Sequence, residues 1–180
     1  MARIPYADPP QARGESRELV ERIISERGGM LHLYAMLLQS PPFADGWLRL
    51  LTAVRHEGRL SGALRELMIM RVAHLNDAPY EAEQHRPIAL REGLSDAQVD
   101  AVADWRAGDL FDPAERAALA YCDAMTRAVH VPDDVFAPLK EHFDHRLIAE
   151  LTITIAAYNM VSRVLEALAI SSADDMGDWA

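Results

Sequence analysis

The sequence predicts an all-α protein. Apolar residues recur at i, i+3, i+4 and i+7 over residues 31–38 and again over residues 47–54. No segment sustains strict polar/apolar alternation with β-branched enrichment, so no sheet is expected. Residues that open and close helices punctuate the chain at short intervals, as in a compact helical bundle.

About nine helices follow in order. Pro5, Pro9, Pro10 and Gly14 predict an extended arm over residues 1–14. A first helix spans about Glu15–Arg27 and stops at Gly28-Gly29. The second covers about Leu31–Gln39, with Leu31, Tyr34, Ala35 and Leu38 on one face, and Ser40-Pro41-Pro42 ends it. A third, about Ala44–His56, carries Trp47, Leu50, Leu51 and Val54 at the same spacing. The fourth runs about Gly62–Asn76. The fifth starts near Pro79, a residue with no N–H to satisfy in a first turn, and ends at Gly93, a left-handed cap. Ser95-Asp96-Ala97-Gln98 is a capping-box pattern for the sixth. Asp112-Pro113-Ala114-Glu115 combines cap, first-turn proline and N3 acid for the seventh. The eighth begins near Pro132, and the ninth spans about Arg146–Leu168. The acidic tail, residues 171–180, reads as loose.

Composition narrows the function classes. The chain has 180 residues, half of them apolar, enough for a single helical domain over residues 15–170. Its net charge of -10 argues against nucleic acid or an anionic membrane as partner, because both need a basic face. The lone Cys122 cannot form an internal disulfide. The N-terminus lacks the apolar stretch of a signal peptide. The most apolar segment, Leu147 to Ile170, is interrupted by Glu150, Asn159, Arg163 and Glu166 and reads as a buried helix, not a membrane span. The expected location is the cytoplasm. Residues 66–73 also echo residues 150–157, sharing Glu, Leu, Ile and Ala at matching places; an old duplication and chance both explain that.

The chemistry concentrates between Leu64 and Leu90. Glu66 lies mid-helix among apolar neighbours. Glu81 and His85 are four apart, so they share a helix face. The tight Asn76-Asp77-Ala78 turn makes the fourth and fifth helices antiparallel neighbours, which lets Glu66 and His85 approach each other. A carboxylate beside an imidazole is a proton-transfer dyad; burial raises the carboxyl and a neighbouring acid raises the imidazole. Plainer readings stand beside this one. Glu81 and His85 also suit helix decoration, and Glu66 a surface or interface ion pair. His74 fits a boundary histidine, and Tyr80 a packing residue. Glu66, Glu81 and His85 would together suit a divalent metal.

The string Arg65-Glu66-Leu67, Arg71-Val72-Ala73, Tyr80-Glu81, Gln84-His85 and Pro87-Ile88-Ala89 resembles the signature region of the carboxymuconolactone decarboxylase / alkylhydroperoxidase D family. Gly93-Leu94-Ser95-Asp96, Phe111 to Arg116, and Glu150-Leu151 through Asn159 and Arg163 agree with its longer members. The resemblance spans about Ile4–Ile170. It implies an all-α fold, assembly as a homo-oligomer (a trimer or hexamer) and pockets between helices. In the peroxidase branch a glutamate is followed at +12 and +15 by a cysteine pair and at +19 by a histidine. Counted from Glu66 these places hold Ala78, Glu81 and His85, so both cysteines are absent.

That departure removes the thiolate and the resolving thiol of peroxide turnover. Cys122 lies in the apolar stripe Ala118, Tyr121, Met125 and reads as core. The resemblance then points to the cysteine-free branch, and to a lyase or isomerase in aromatic catabolism that needs neither cofactor nor metal. Its substrate would be a small lactone or enol, anionic ones included. Glu66 and His85 would be the acid/base pair, with Glu81 orienting His85. Tyr80, His74, Arg71 and Arg163 are candidate substrate contacts, the two arginines by residue type alone. Three other readings remain. One is peroxidase chemistry through Cys122, another is a metal protein, and the third is a non-enzymatic oligomeric binding protein that has lost the cysteine pair.

Overall fold

The structure is a computed structural model and describes residues 1–179. Among the described residues every regular element is helical. In order they are α1 (Pro9–Arg27), α2 (His32–Leu37), α3 (Pro41–Thr52), a π-helical turn (Ala53–Glu57), α4 (Gly62–Leu75) and α5 (Pro79–Arg91). There follow α6 (Asp96–Ala101), a 3₁₀ turn (Val102–Ala107), α7 (Pro113–Ala128), α8 (Asp133–Phe136), α9 (Leu139–His142) and α10 (His145–Leu168). The chain divides into two compact units, residues 57–164 and residues 1–56 joined by the C-terminal segment from Leu165.

In the terminal unit the arm is shorter than the sequence suggests. α1 begins at Pro9, and Pro9-Pro10 form its first turn, with a kink at Ser16. Proline is at home there because first-turn N–H groups have no intrahelical partner. Pro41 and Pro42 do the same for α3, which therefore starts three residues earlier than expected. α1 ends as expected: Gly28 takes the left-handed conformation (φ 78) and its N–H bonds Ile24 O. α3 turns Ala44, Leu48 and Leu51 inward and leaves Leu50 outside, a correction to the predicted face. The tail is anchored rather than loose. Asp174 accepts the Tyr6 hydroxyl at 2.8 Å, and Trp179 is buried in a core with Val20, Ile23, Tyr34 and Leu48. A terminal tryptophan buries much apolar area, which offsets the entropy lost in ordering the segment.

In the central unit α4 is the hub. Every residue from Arg65 to Ala73 is buried. A helix covered on all sides needs no polar stripe, so its sequence lacks amphipathic contrast. α4 packs most extensively on α5, then on α7. Asp77 (φ 49) makes the tight turn into α5. The expected capping boxes of α6 and α7 are both formed. The expected eighth helix is two single turns, α8 and α9, because Pro138 supplies no N–H to carry the ladder between them. α10 is long and apolar enough to cross a membrane, but half of its apolar window is buried within the fold, including Leu151, Ile155 and Tyr158. The sequence echo has a partial counterpart. Leu67 and Leu151 are both fully buried, whereas Ile69 is buried and Ile153 half exposed.

Candidate functional site

Three helices of the central unit build the site. α4 supplies Arg65 and Glu66; α5 supplies Glu81 and His85, one turn apart; α10 supplies Tyr158 and Ser162, also one turn apart. All six are buried, Glu66 and Ser162 completely. Glu66 Oε2 lies 2.7 Å from His85 Nδ1. A carboxylate can only accept, so Nδ1 carries a proton and donates it, which leaves Nε2 as the basic nitrogen whenever the ring is neutral. The imidazole stands edge-on to Tyr158, with ring centroids 5.1 Å apart and planes at 87°. That packing fixes the ring plane. The Ser162 hydroxyl donates to Glu81 Oε2.

Burial pushes the Glu66 carboxyl up. The hydrogen bond and charge of His85, with the Arg65 guanidinium, outweigh burial and hold it below its ordinary value. Burial acts on this carboxyl in the expected direction, but the net shift is downward. Arg65 Nε donates to Glu66 Oε1 at 3.1 Å, and its Nη2 lies 3.3 Å from Glu92 Oε1. Glu66 is thus a fixed anion. It is Glu66, not Glu81, that holds Nδ1.

The other sequence candidates are placed elsewhere. Arg71 Nε donates to Asp123 at 2.6 Å, and Nη1 donates to the carbonyls of Val102 and Ala103 at 3.0 and 2.7 Å. It is a structural ion-pair residue. Arg163 is exposed and bonds Asn159 O and Oδ1 on its own helix. His74 is exposed and lines an open concavity of about 480 Å³ at the α4–α5 corner, with Ala73, Asp77, Ala78, Pro79 and Ala82. Burial, aided by the positive charge of Arg71, pushes its imidazole down. Tyr80 is buried on α5. Among the described residues no three His, Cys, Asp or Glu side chains converge to hold a metal, so Glu66, Glu81 and His85 do not make the cluster that a metal reading requires.

Cys122 is fully buried, and burial, reinforced by Asp123, pushes its thiol up to about 12. Such a thiol is neither ionised nor reachable at neutral pH.

The sequence reading missed Arg65, Tyr158 and Ser162. Adjacent helical residues do not normally face each other, so Arg65 gave no spacing signal toward Glu66. Tyr158 and Ser162 had one, since their four-residue spacing matches that of Glu81 and His85 across the helix pair.

Comparison with known proteins agrees with this architecture. The carboxymuconolactone decarboxylase family model matches residues 41–124. The uncharacterized protein YnjA of Escherichia coli is 33% identical over 127 residues, covering 69% of this chain and 66% of YnjA. An uncharacterized peroxidase-related protein of Ralstonia eutropha, with an alkylhydroperoxidase AhpD core, superposes with a TM-score of 0.82 at 19% identity, covering 97% of this chain and 94% of that one. The debrominase Bmp8, solved in complex with 2,3,4-tribromopyrrole, superposes with a TM-score of 0.80 at 18% identity, covering 95% and 92%. At those identities the two structures speak to the fold alone. With the family match, the order of the signature residues and the helical architecture in agreement, the chain belongs to the carboxymuconolactone decarboxylase / alkylhydroperoxidase D-like family.

Proposed function

We propose that the protein is a cofactor-free acid/base catalyst, a lyase or isomerase acting on a small lactone or enol, with His85 as the proton carrier and Glu66 as its charged partner. The observation that carries this reading is the buried 2.7 Å bond from His85 Nδ1 to Glu66. The Nε2 lone pair takes a proton from carbon next to a carbonyl, and the C–H electron pair moves into the enolate. His85 becomes an imidazolium beside the Glu66 carboxylate. Return of the Nε2 proton to a different carbon completes an isomerisation. In a decarboxylation His85 starts as the imidazolium, having taken its Nε2 proton from water; the C–C bond to the carboxylate breaks, carbon dioxide leaves, and the electron pair forms a dienolate that Nε2–H protonates, returning the ring to its neutral form. Either sequence is redox-neutral and needs no thiol. A positioned group of this kind contributes about 10²–10⁴ in rate.

Two facts set this reading above peroxidase chemistry. Ala78 and Glu81 occupy the places of the cysteine pair, and the single thiol is sealed in the core. The reading is tested by an ultraviolet assay of chelator-treated protein with carboxymuconolactone, beside His85→Ala. Substrate loss with carbon dioxide release, reduced about 100-fold or more in the variant, is the expected result. Turnover unchanged in the variant would remove His85 from the chemistry. We also propose self-association into a trimer or hexamer in the cytoplasm. Exposed Phe43, Leu50 and Ile153 support the self-association.

A further inference from the structure

We propose that Arg65 is the positioning residue of the pair: strung between the surface carboxylate of Glu92 and the buried carboxylate of Glu66, its guanidinium keeps Glu66 ionised and its free oxygen on His85 Nδ1, so that Nε2 is the nitrogen offered to a substrate. The proposal rests on the reading of His85 as proton carrier, but concerns the unliganded protein.

The geometry is that of a fork with its two ends on different carboxylates. Arg65 Nε donates to Glu66 Oε1 at 3.1 Å, and Nη2 reaches Glu92 Oε1 at 3.3 Å. The Arg65 side chain is almost fully buried, that of Glu66 completely, and that of Glu92 is 40% exposed. The two Glu66 oxygens are thus divided, one to Arg65 and one to His85. A carboxylate held at both oxygens cannot rotate, and a second hydrogen bond to the charged form favours that form. Glu92 in turn keeps the guanidinium from swinging to water. Gly62 makes room for it, since a Cβ there would run into the Glu92 carboxylate.

The surroundings supply one further buried carboxylate, Glu81 on α5, whose Oε2 accepts from Ser162. α5 contributes His85 and, through Arg65, Glu92. α10 contributes Tyr158 against the imidazole and Ser162 bonded to Glu81. On α7 the buried Asp123 is bonded to Arg71 and Arg106. Arg65 and His85 are therefore the cationic or donor partners of Glu66, and only Arg65 carries a permanent charge.

The experiment is carbon-detected NMR of the full chain with labelled Glu side chains, following the Glu66 carboxyl carbon against pH, with nitrogen NMR of the histidine rings. Glu66→Gln and His85→Gln make the assignments. In wild type the Glu66 midpoint falls below the ordinary carboxylate range and His85 shows the Nδ1–H tautomer. In Arg65→Met the midpoint moves up toward that range and the two tautomers mix. Arg65→Lys, which keeps the charge without the fork, returns the midpoint part of the way, and it serves alone if the methionine variant does not fold. A Glu66 midpoint unchanged in a folded Arg65 variant overturns the proposal, because a residue needed only for packing would alter stability and leave that midpoint in place. Neither result depends on turnover, so failure here is distinct from failure of the acid/base reading.

Discussion

Helix α4 buries two arginines against carboxylates, one at each end of its central stretch, and the two sites differ in one respect. At Arg71 the donors Nε and Nη1 are met by protein acceptors: Asp123 and the carbonyls of Val102 and Ala103. Asp123 is likewise covered by Arg71, Trp105 and Arg106. Burial pushes the Asp123 carboxyl up, and Arg71 and Arg106 outweigh it and hold it low. At Arg65 the carboxylate is met by a guanidinium on one oxygen and an imidazole on the other. The imidazole has a second nitrogen. The first site ties α4 to α7 and the 3₁₀ turn. The second ends on an imidazole, the group we propose as the proton carrier. Both are buried charge clusters, and what separates them is whether the last member has a valence to spare.

The largest expected effect is at the closed site. Arg71→Met leaves Asp123 buried with only the half-exposed Arg106 and Trp105 as partners, and should lower the unfolding free energy by about 3–5 kcal/mol in urea titrations. A loss below about 1 kcal/mol would mean that Arg106 alone carries Asp123, and that the contrast between the sites is weaker than their geometry.

A smaller effect is expected at the open site, and it should depend on pH. Glu66 has a folded-state carboxyl below its ordinary value. Ionised Glu66 therefore adds stability that is fully present above about pH 4.3, the unfolded value, and is lost as pH falls toward the folded one. Glu66→Gln should be less stable than wild type at neutral pH, with the gap narrowing on acidification. Urea midpoints from about pH 7 to pH 3 check this. A constant gap would mean that Glu66 acts through packing alone.

The smallest effect is expected at Cys122, which lies beside the closed site. Its thiol is sealed and pushed up to about 12. Iodoacetamide should label the native protein no faster than it unfolds, and the protein should consume no peroxide above the rate of Cys122→Ala. Rapid labelling of folded protein would reopen a thiol reading.

How much of this was legible follows from what each signal measures. Gly28, Gly93 and the boxes at Ser95 and Asp112 act within a few residues of themselves, so the boundaries they mark hold in the structure. Pro9-Pro10 and Pro41-Pro42 suggest breaks by their local sequence and are helix openings. Proline forbids a helix interior and suits a first turn, and a local string cannot say which side of a boundary it stands on. The tail looks loose in its local sequence because Trp179 finds its apolar partners far away in the chain.

The chain's own order of residues was enough to establish an all-helical fold, the antiparallel α4–α5 pair and the approach of Glu66 to His85, because helix periodicity and a short turn determine which side chains meet across neighbouring segments. It also showed that the places of the cysteine pair hold Ala78 and Glu81, since the one cysteine of the chain is Cys122. Folding in three dimensions settled which charges stay buried together. It gave Arg71 to Asp123 and Arg65 to Glu66, brought Tyr158 and Ser162 from α10 to the site, and made Glu66 an anion where burial alone would have made it an acid. Ionisation depends on the balance of desolvation against every neighbouring donor and charge, and most of those neighbours lie on other helices.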